Sequence, residues 1–184
     1  MNFSHQFLPL AVVFTALSLA AAQAETQTLH YPDQDKSMFS IEAPSDWKVT
    51  PIEEVGEFGS LESENGSILQ FRAQEFDTED EVVKEVESIF DSTGEFLKEN
   101  YTDIKLDDPK EVTVEGQPGS QLTGTGKDKD GNAVQFLSAM IALGPKSVAE
   151  IWAAVFTEGE SSNDLESAKT VLNSFKPAGS AKTE

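Results

Sequence analysis

The sequence predicts an α+β domain in which a central antiparallel sheet lies between helices. Two pairs of apolar runs are joined by hairpin-type turns, two stretches repeat their apolar residues at three and four, and two runs are largely apolar on both faces. Hairpins make neighbouring strands antiparallel. The three-four repeats supply helices with one apolar side, and strands apolar on both faces belong in the middle of a covered sheet. The order is short strands, a long helix, a run of four or so strands and a closing helix.

Phe39-Ser40-Ile41-Glu42-Ala43 alternates apolar and polar and is stopped by Pro44, which reads as a half-buried strand. Ser45-Asp46 turns the chain, and Trp47 and Val49 continue the spacing of two as a second short strand or an extension of the first. Phe58 to Glu62 and Ile68 to Gln74 form a hairpin across Asn65-Gly66, a pair that readily adopts positive φ. A helix then starts at a capping box of Thr78 and Glu81, with Phe76 and Val82 spaced as a hydrophobic staple. Its apolar face is Val82, Val83, Val86, Ile89, Phe90, Thr93 and Leu97. Glu79, Asp80 and Glu81 occupy the first turn, where the helix dipole favours negative charge.

After Tyr101 the spacing returns to two, through Ile104 and Leu106, Val112 and Val114, and then residues 120–127. The charged turn Lys127 to Asn132 leads into Ala133 to Leu143, a second hairpin. That strand and Ile151 to Phe156 are the two runs expected at the sheet's centre. Gly124 and Gly126 indicate close backbone packing or a bulge, not a phosphate loop, because no helix follows and Lys129 replaces the third glycine. A final helix is signalled by Asn163 with Glu166 three on, and by Leu165, Ala168, Leu172 and Phe175, with Pro177 ending it.

Residues 1–24 are apolar and carry no Lys, Arg, Asp or Glu, and they close on Ala22-Gln23-Ala24 before Glu25. This is the pattern of a signal peptide cleaved between Ala24 and Glu25, although only the α-amino group and His5 supply positive charge ahead of the apolar run. The run falls short of the ~20 apolar residues of a membrane span. The expected location is periplasmic or secreted, with no span in the mature chain. Without cysteine there is no lipid-modified cysteine, disulfide or thiol chemistry. The expected organisation is a flexible lead-in over 25–35, one domain over 36–177 and a disordered tail over 178–184.

The 184 residues hold 13 basic and 33 acidic side chains, a formal net charge of −20. Nucleic acid is excluded as a partner, since phosphate binding needs clustered Lys and Arg and Arg72 is the lone arginine. Acidity of this degree serves solubility or a salty medium, or else attracts a basic partner or cations. His30 is the one histidine beyond the leader and no Gly-x-Ser-x-Gly is present, so serine hydrolase and zinc chemistry lack their residues. Two alternatives stay open: a hydrolase with paired carboxylates, and a calcium-stabilised module at Asp128-Lys129-Asp130-Gly131-Asn132, whose loop lacks the first aspartate and the closing glutamate. No catalytic, metal or cofactor residue is assigned. Trp47, Tyr101 and Arg72 are the candidate partner contacts, and Trp47 beside Pro44 also reads as a core lid over one end of the sheet. Tyr31 is a further peripheral candidate, while Trp152 and Phe156 read as core.

Residues 39–49, Phe39-Ser40-Ile41-Glu42-Ala43-Pro44-Ser45-Asp46-Trp47-Lys48-Val49, resemble the opening strand, proline and tryptophan of PsbP and Mog-type proteins. Gly116-Gln117-Pro118-Gly119 and Val171-Leu172-Asn173-Ser174-Phe175-Lys176 are similar to later landmarks of that family. The resemblance spans about residues 36 to 177 and implies an α/β/α sandwich. Members bind a photosynthetic reaction centre or a small GTPase, or are exported bacterial proteins of unknown role, so it transfers no binding residue. The resulting expectation is an exported, acidic, non-catalytic binding or accessory protein of the envelope, with a protein or an envelope component as partner.

Overall fold

The computed structural model describes residues 25–52, 54–158 and 163–178. The first strands are β1 (Thr26–Tyr31), β2 (Phe39–Pro44), β3 (Lys48–Thr50), β4 (Gly59–Glu62) and β5 (Ile68–Glu75). Helix α1 (Glu79–Asn100) follows, then β6 (Thr102–Leu106), β7 (Lys110–Val114), β8 (Gln117–Lys127), β9 (Ala133–Gly144) and β10 (Ser147–Phe156). Helix α2 (Asp164–Asn173) and β11 (Lys176–Pro177) end the described fold. It is α+β with a large antiparallel sheet.

That sheet runs β3-β4-β5-β10-β9-β8-β6, with β7 also paired to β8. The two strands apolar on both faces, β9 and β10, lie inside it as expected. Both hairpins form: β4 pairs with β5 around Gly66 at φ 84°, and β8 pairs with β9 around Gly131 at φ 89°. Gly124 permits the close approach of β6, because a Cβ there would stand 2.7 Å from the Lys105 carbonyl oxygen.

Side-chain alternation assigns each strand two faces. Val148, Trp152 and Ala154 of β10, with Val134, Phe136 and Met140 of β9, point to the side packed by Ile89 and Leu97 of α1. Ala149, Ile151, Ala153 and Val155 point the other way, into the main core. The capping box of α1 is formed in full, with Glu81 N donating to Thr78 Oγ1 and the Glu81 carboxylate accepting from the Thr78 backbone. Val83, expected on the apolar face, is instead 58% exposed.

A second sheet, ordered β1-β2-β11, covers the opposite side together with α2. Sequence reading had one sheet. The turn at Ser45-Asp46 sends β2 into the small sheet and β3 into the large one. The expected flexible lead-in over 25–35 contains β1, paired along its length with β2. Only Leu29 and Tyr31 mark it as a strand, and its backbone ladder is supplied by a neighbour in space. Tyr31, read as peripheral, is fully buried: its ring stacks on Phe39 at 5.1 Å, and Phe39 stacks on Phe175 at 5.0 Å.

The start of α2 also differs from expectation. Asn163 makes no side-chain cap. The buried Asp164 beside it instead accepts a 2.6 Å hydrogen bond from Ser63 Oγ, which itself accepts from Ser67 N at 3.0 Å. Helix α2 thereby locks onto the β4–β5 turn. It ends at Asn173, ahead of Pro177, which pairs with Phe39 as part of β11. The expectations for 1–24 and 179–184 lie outside the described residues.

Candidate binding site

Arg72 of β5 and Glu150 of β10 are register partners, so antiparallel pairing sets them side by side on the α1 face. Arg72 Nε donates to Glu150 Oε2 at 2.6 Å, and Arg72 Nη2 lies 4.0 Å from Glu85 Oε1 on α1. The guanidinium carbon sits 4.4 Å from the centroid of the Phe58 ring. Three contacts, from β10, from α1 and from the loop before β4, fix the plane of one side chain. Its remaining N–H groups make no hydrogen bond to the described residues, although a guanidinium presents five donors.

Glu150 is 6% exposed. Burial pushes its carboxyl above the ordinary 4.5, against the hydrogen bond and charge of Arg72, and the Glu85 charge adds to the rise. A buried pair of this kind is weak evidence of stabilisation, since desolvation offsets the attraction. Its visible effect is orientation: the guanidinium faces a concavity.

Trp152 follows two residues after Glu150 and so shares its face. The Phe96 ring meets the Trp152 ring at 5.7 Å and 82°. Phe96 is 49% exposed and Phe58 39%, large apolar side chains left in contact with solvent at either wall. Between them lies a cavity of about 290 Å³, floored by Gln70 and Arg72 and edged by Ser92 and Thr93 of α1. The wall carrying Phe58 is held from the far side of the sheet. Gly56 N donates to Tyr31 Oη at 2.8 Å, and Tyr31 Oη donates to the Glu57 carbonyl at 2.9 Å.

Of the sequence-predicted contacts, the structure brings only Arg72 to this cleft. Trp47 is 5% exposed and belongs to the main core. Tyr101 caps α1 away from the cleft, its ring edge-on to Phe136 at 4.8 Å, and its hydroxyl pKa is raised by burial and by the Asp128 charge. Glu25 is exposed at the head of β1, its carbonyl accepting from Ser45 N, while Ala22 and Ala24 lie outside the described residues. Sequence reading missed Glu150, Phe58 and Phe96. Phe96 had a usable signal, since it stands seven residues after Ile89 on one helix face.

A second hollow, of about 430 Å³ between the β7–β8 hairpin and α2, is lined by Leu137 and Ile141 together with Glu115 and Lys169, and has no aromatic wall. In the 128–132 turn, Asp128 accepts from the backbone of Asp130 and Asn132 and from the Asn132 side chain, bonds that lower its pKa. Those bonds satisfy the carboxylate within the turn. Among the described residues no group of three or more His, Cys, Asp or Glu could hold a metal ion.

No family model matches the chain, and no curated protein matches it in sequence. Solved structures do match, and they define the class: this is a PsbP/Mog-like fold. The solution structure of PsbP (CyanoP) from Synechocystis sp. PCC 6803 matches with a TM-score of 0.53 at 13% identity, over 86% of this chain and 95% of that one. The Ran-binding protein Mog1p of Saccharomyces cerevisiae matches at 0.50 and 13% identity, over 84% of this chain and 96% of its own. Likeness at this identity concerns the fold alone. Among the described residues, no helix is long and apolar enough to cross a membrane.

Proposed function

We propose that the protein is an exported, non-catalytic binding or accessory protein of the cell envelope that engages its partner through the α1 cleft. The observation that carries this reading is the cleft itself: exposed Phe58 and Phe96 flank a guanidinium whose outer N–H groups make no hydrogen bond among the described residues, Glu85 approaching only to 4.0 Å. Concave sites with aromatic walls and a few oriented polar groups are the usual form of a binding site. The leader over 1–24 supports export. The binding of Ran by Mog1p shows that this fold can serve as a binding module, and nothing about that partner is carried over.

The hydrolase alternative has one observation in its favour, the raised pKa of Glu150 opposite Glu85. Arg72 argues against it. One guanidinium approaches both carboxylates and fills the space a bond undergoing hydrolysis would need.

The test is affinity capture from envelope extract with the wild-type protein and with Phe96→Ser in parallel. The expected result is a component retained by the wild type and lost by the variant. Finding no cleft-dependent component at low or moderate salt overturns the proposal.

A further inference from the structure

We propose that the α1 cleft recognises a neutral saccharide unit, an inference that rests on the cleft being the protein's binding site. Charge narrows the ligand first. A cation would meet Arg72, which already occupies the Phe58 face and a Glu150 oxygen. An anion would meet Glu150 and Glu85 inside the field of a molecule with net charge −20. A wholly apolar ligand would strip water from the outer N–H groups of Arg72 and from Gln70 without replacing those hydrogen bonds. What remains is a neutral ligand that carries apolar surface and closely spaced hydroxyls together.

A pyranose ring has that character. Its C–H face suits the aromatic walls at Trp152 and Phe96, while its oxygens can accept from the outer Arg72 nitrogens and its hydroxyls can donate to the side-chain oxygens of Gln70 and Glu150. Arg72 is already immobilised by Glu150 and Phe58, so little side-chain freedom is lost on binding. At about 290 Å³ the cavity lies at the small end of ligand sites, suited to one portion of an oligosaccharide whose remainder stays in solvent. An extended peptide is less well served. The floor strands β5 and β10 are each paired on both sides, so no backbone edge is offered to an added strand.

The chain has two tryptophans, Trp47 in the core and Trp152 at the cleft, so fluorescence of the purified Trp47→Phe protein reports the cleft. The probes are cellotetraose, chitotetraose and mannotetraose, with an oligolysine peptide for comparison. The expected result is a saturable change with at least one tetrasaccharide, indifferent to salt, and weakened roughly tenfold or more by Phe96→Ala and by Arg72→Lys. Phe96 is a surface residue, so its variant stays folded if Arg72→Lys does not. No response to any tetrasaccharide at millimolar concentration overturns the inference, as does binding that ignores both substitutions. A salt-dependent response to oligolysine alone does the same and makes the cleft a peptide site. If the tetrasaccharides fail while extract capture still depends on Phe96, the binding role stands and only the saccharide falls.

Discussion

Glu150 makes the stability of this protein depend on pH in a direction opposite to that of most paired carboxylates. Its folded pKa lies above the ordinary 4.5, so in the window just above 4.5 the native chain holds more protons than the unfolded one. Stability from this group therefore falls as pH rises through that window and is greatest below it. Glu150→Gln should remove the slope. Denaturant melts of both proteins from about pH 4 upwards give the comparison, and parallel stability curves would refute the assignment. Asp164 acts differently, as the acceptor that anchors Ser63 at 2.6 Å. Asp164→Ala should cost about 1–3 kcal/mol, read as a lower unfolding midpoint, because a buried donor loses its acceptor. Tyr31→Phe keeps the aromatic stack but removes the hydroxyl's bonds to Gly56 N and to the Glu57 and Ala73 carbonyls, so it should loosen the segment carrying Phe58 and weaken cleft binding while the fold is kept. Unaltered binding by Tyr31→Phe would remove Tyr31 from the site's support. None of these three roles was legible in the sequence, because each depends on a partner brought close by tertiary pairing. Arg72 stood out only by being the single arginine.

The elements differ in how much of their stability is written locally. Helix α1 announces its start, because capping box, staple and acidic first turn all fall within seven residues of Phe76. Thr78→Ala should cost about 1 kcal/mol, visible as a small drop in melting temperature. A null result would mean that packing of Ile89 and Leu97 alone holds the first turn. Helix α2 misleads by the same local logic, since Asn163 looks like a cap but the ordering contact comes from Asp164 to a distant turn. Strand β1 is the converse case, with a weak pattern made regular by β2. Strands β9 and β10 were readable because burial on both faces leaves a compositional mark. Gly119 lies in the ladder beside β9, where a Cβ would stand 2.6 Å from the Met140 carbonyl oxygen. Gly119→Ala should therefore push β8 off β9 and destabilise by about 1–3 kcal/mol, measurable in a urea melt.

At the scale of the whole molecule, the net charge of −20 opposes compaction. Added salt screens that repulsion, and the exposed pairs it also weakens, such as Lys48–Glu62 at 4.0 Å, contribute little. The melting temperature should rise from low to moderate ionic strength. A fall would mean that specific pairs outweigh the net field. The α+β class and the large sheet followed from periodicity, whereas the division into two sheets did not, because a turn at Ser45-Asp46 reads alike whether the next strand returns or departs. That division has a consequence in time. Strand β2 takes one neighbour from residues 26–31 and the other from residues 176–177, and Glu42 N finds Ser174 Oγ across 132 residues of chain. The small sheet is therefore sealed only when residues 174–177 have joined it, and Phe39 takes its second stacking partner, Phe175, from that distant segment. Contacts so distant along the chain carry a loop-closure cost that is met before they stabilise anything, so a chain without residues 174–177 leaves one edge of β2 and one face of Phe39 uncovered.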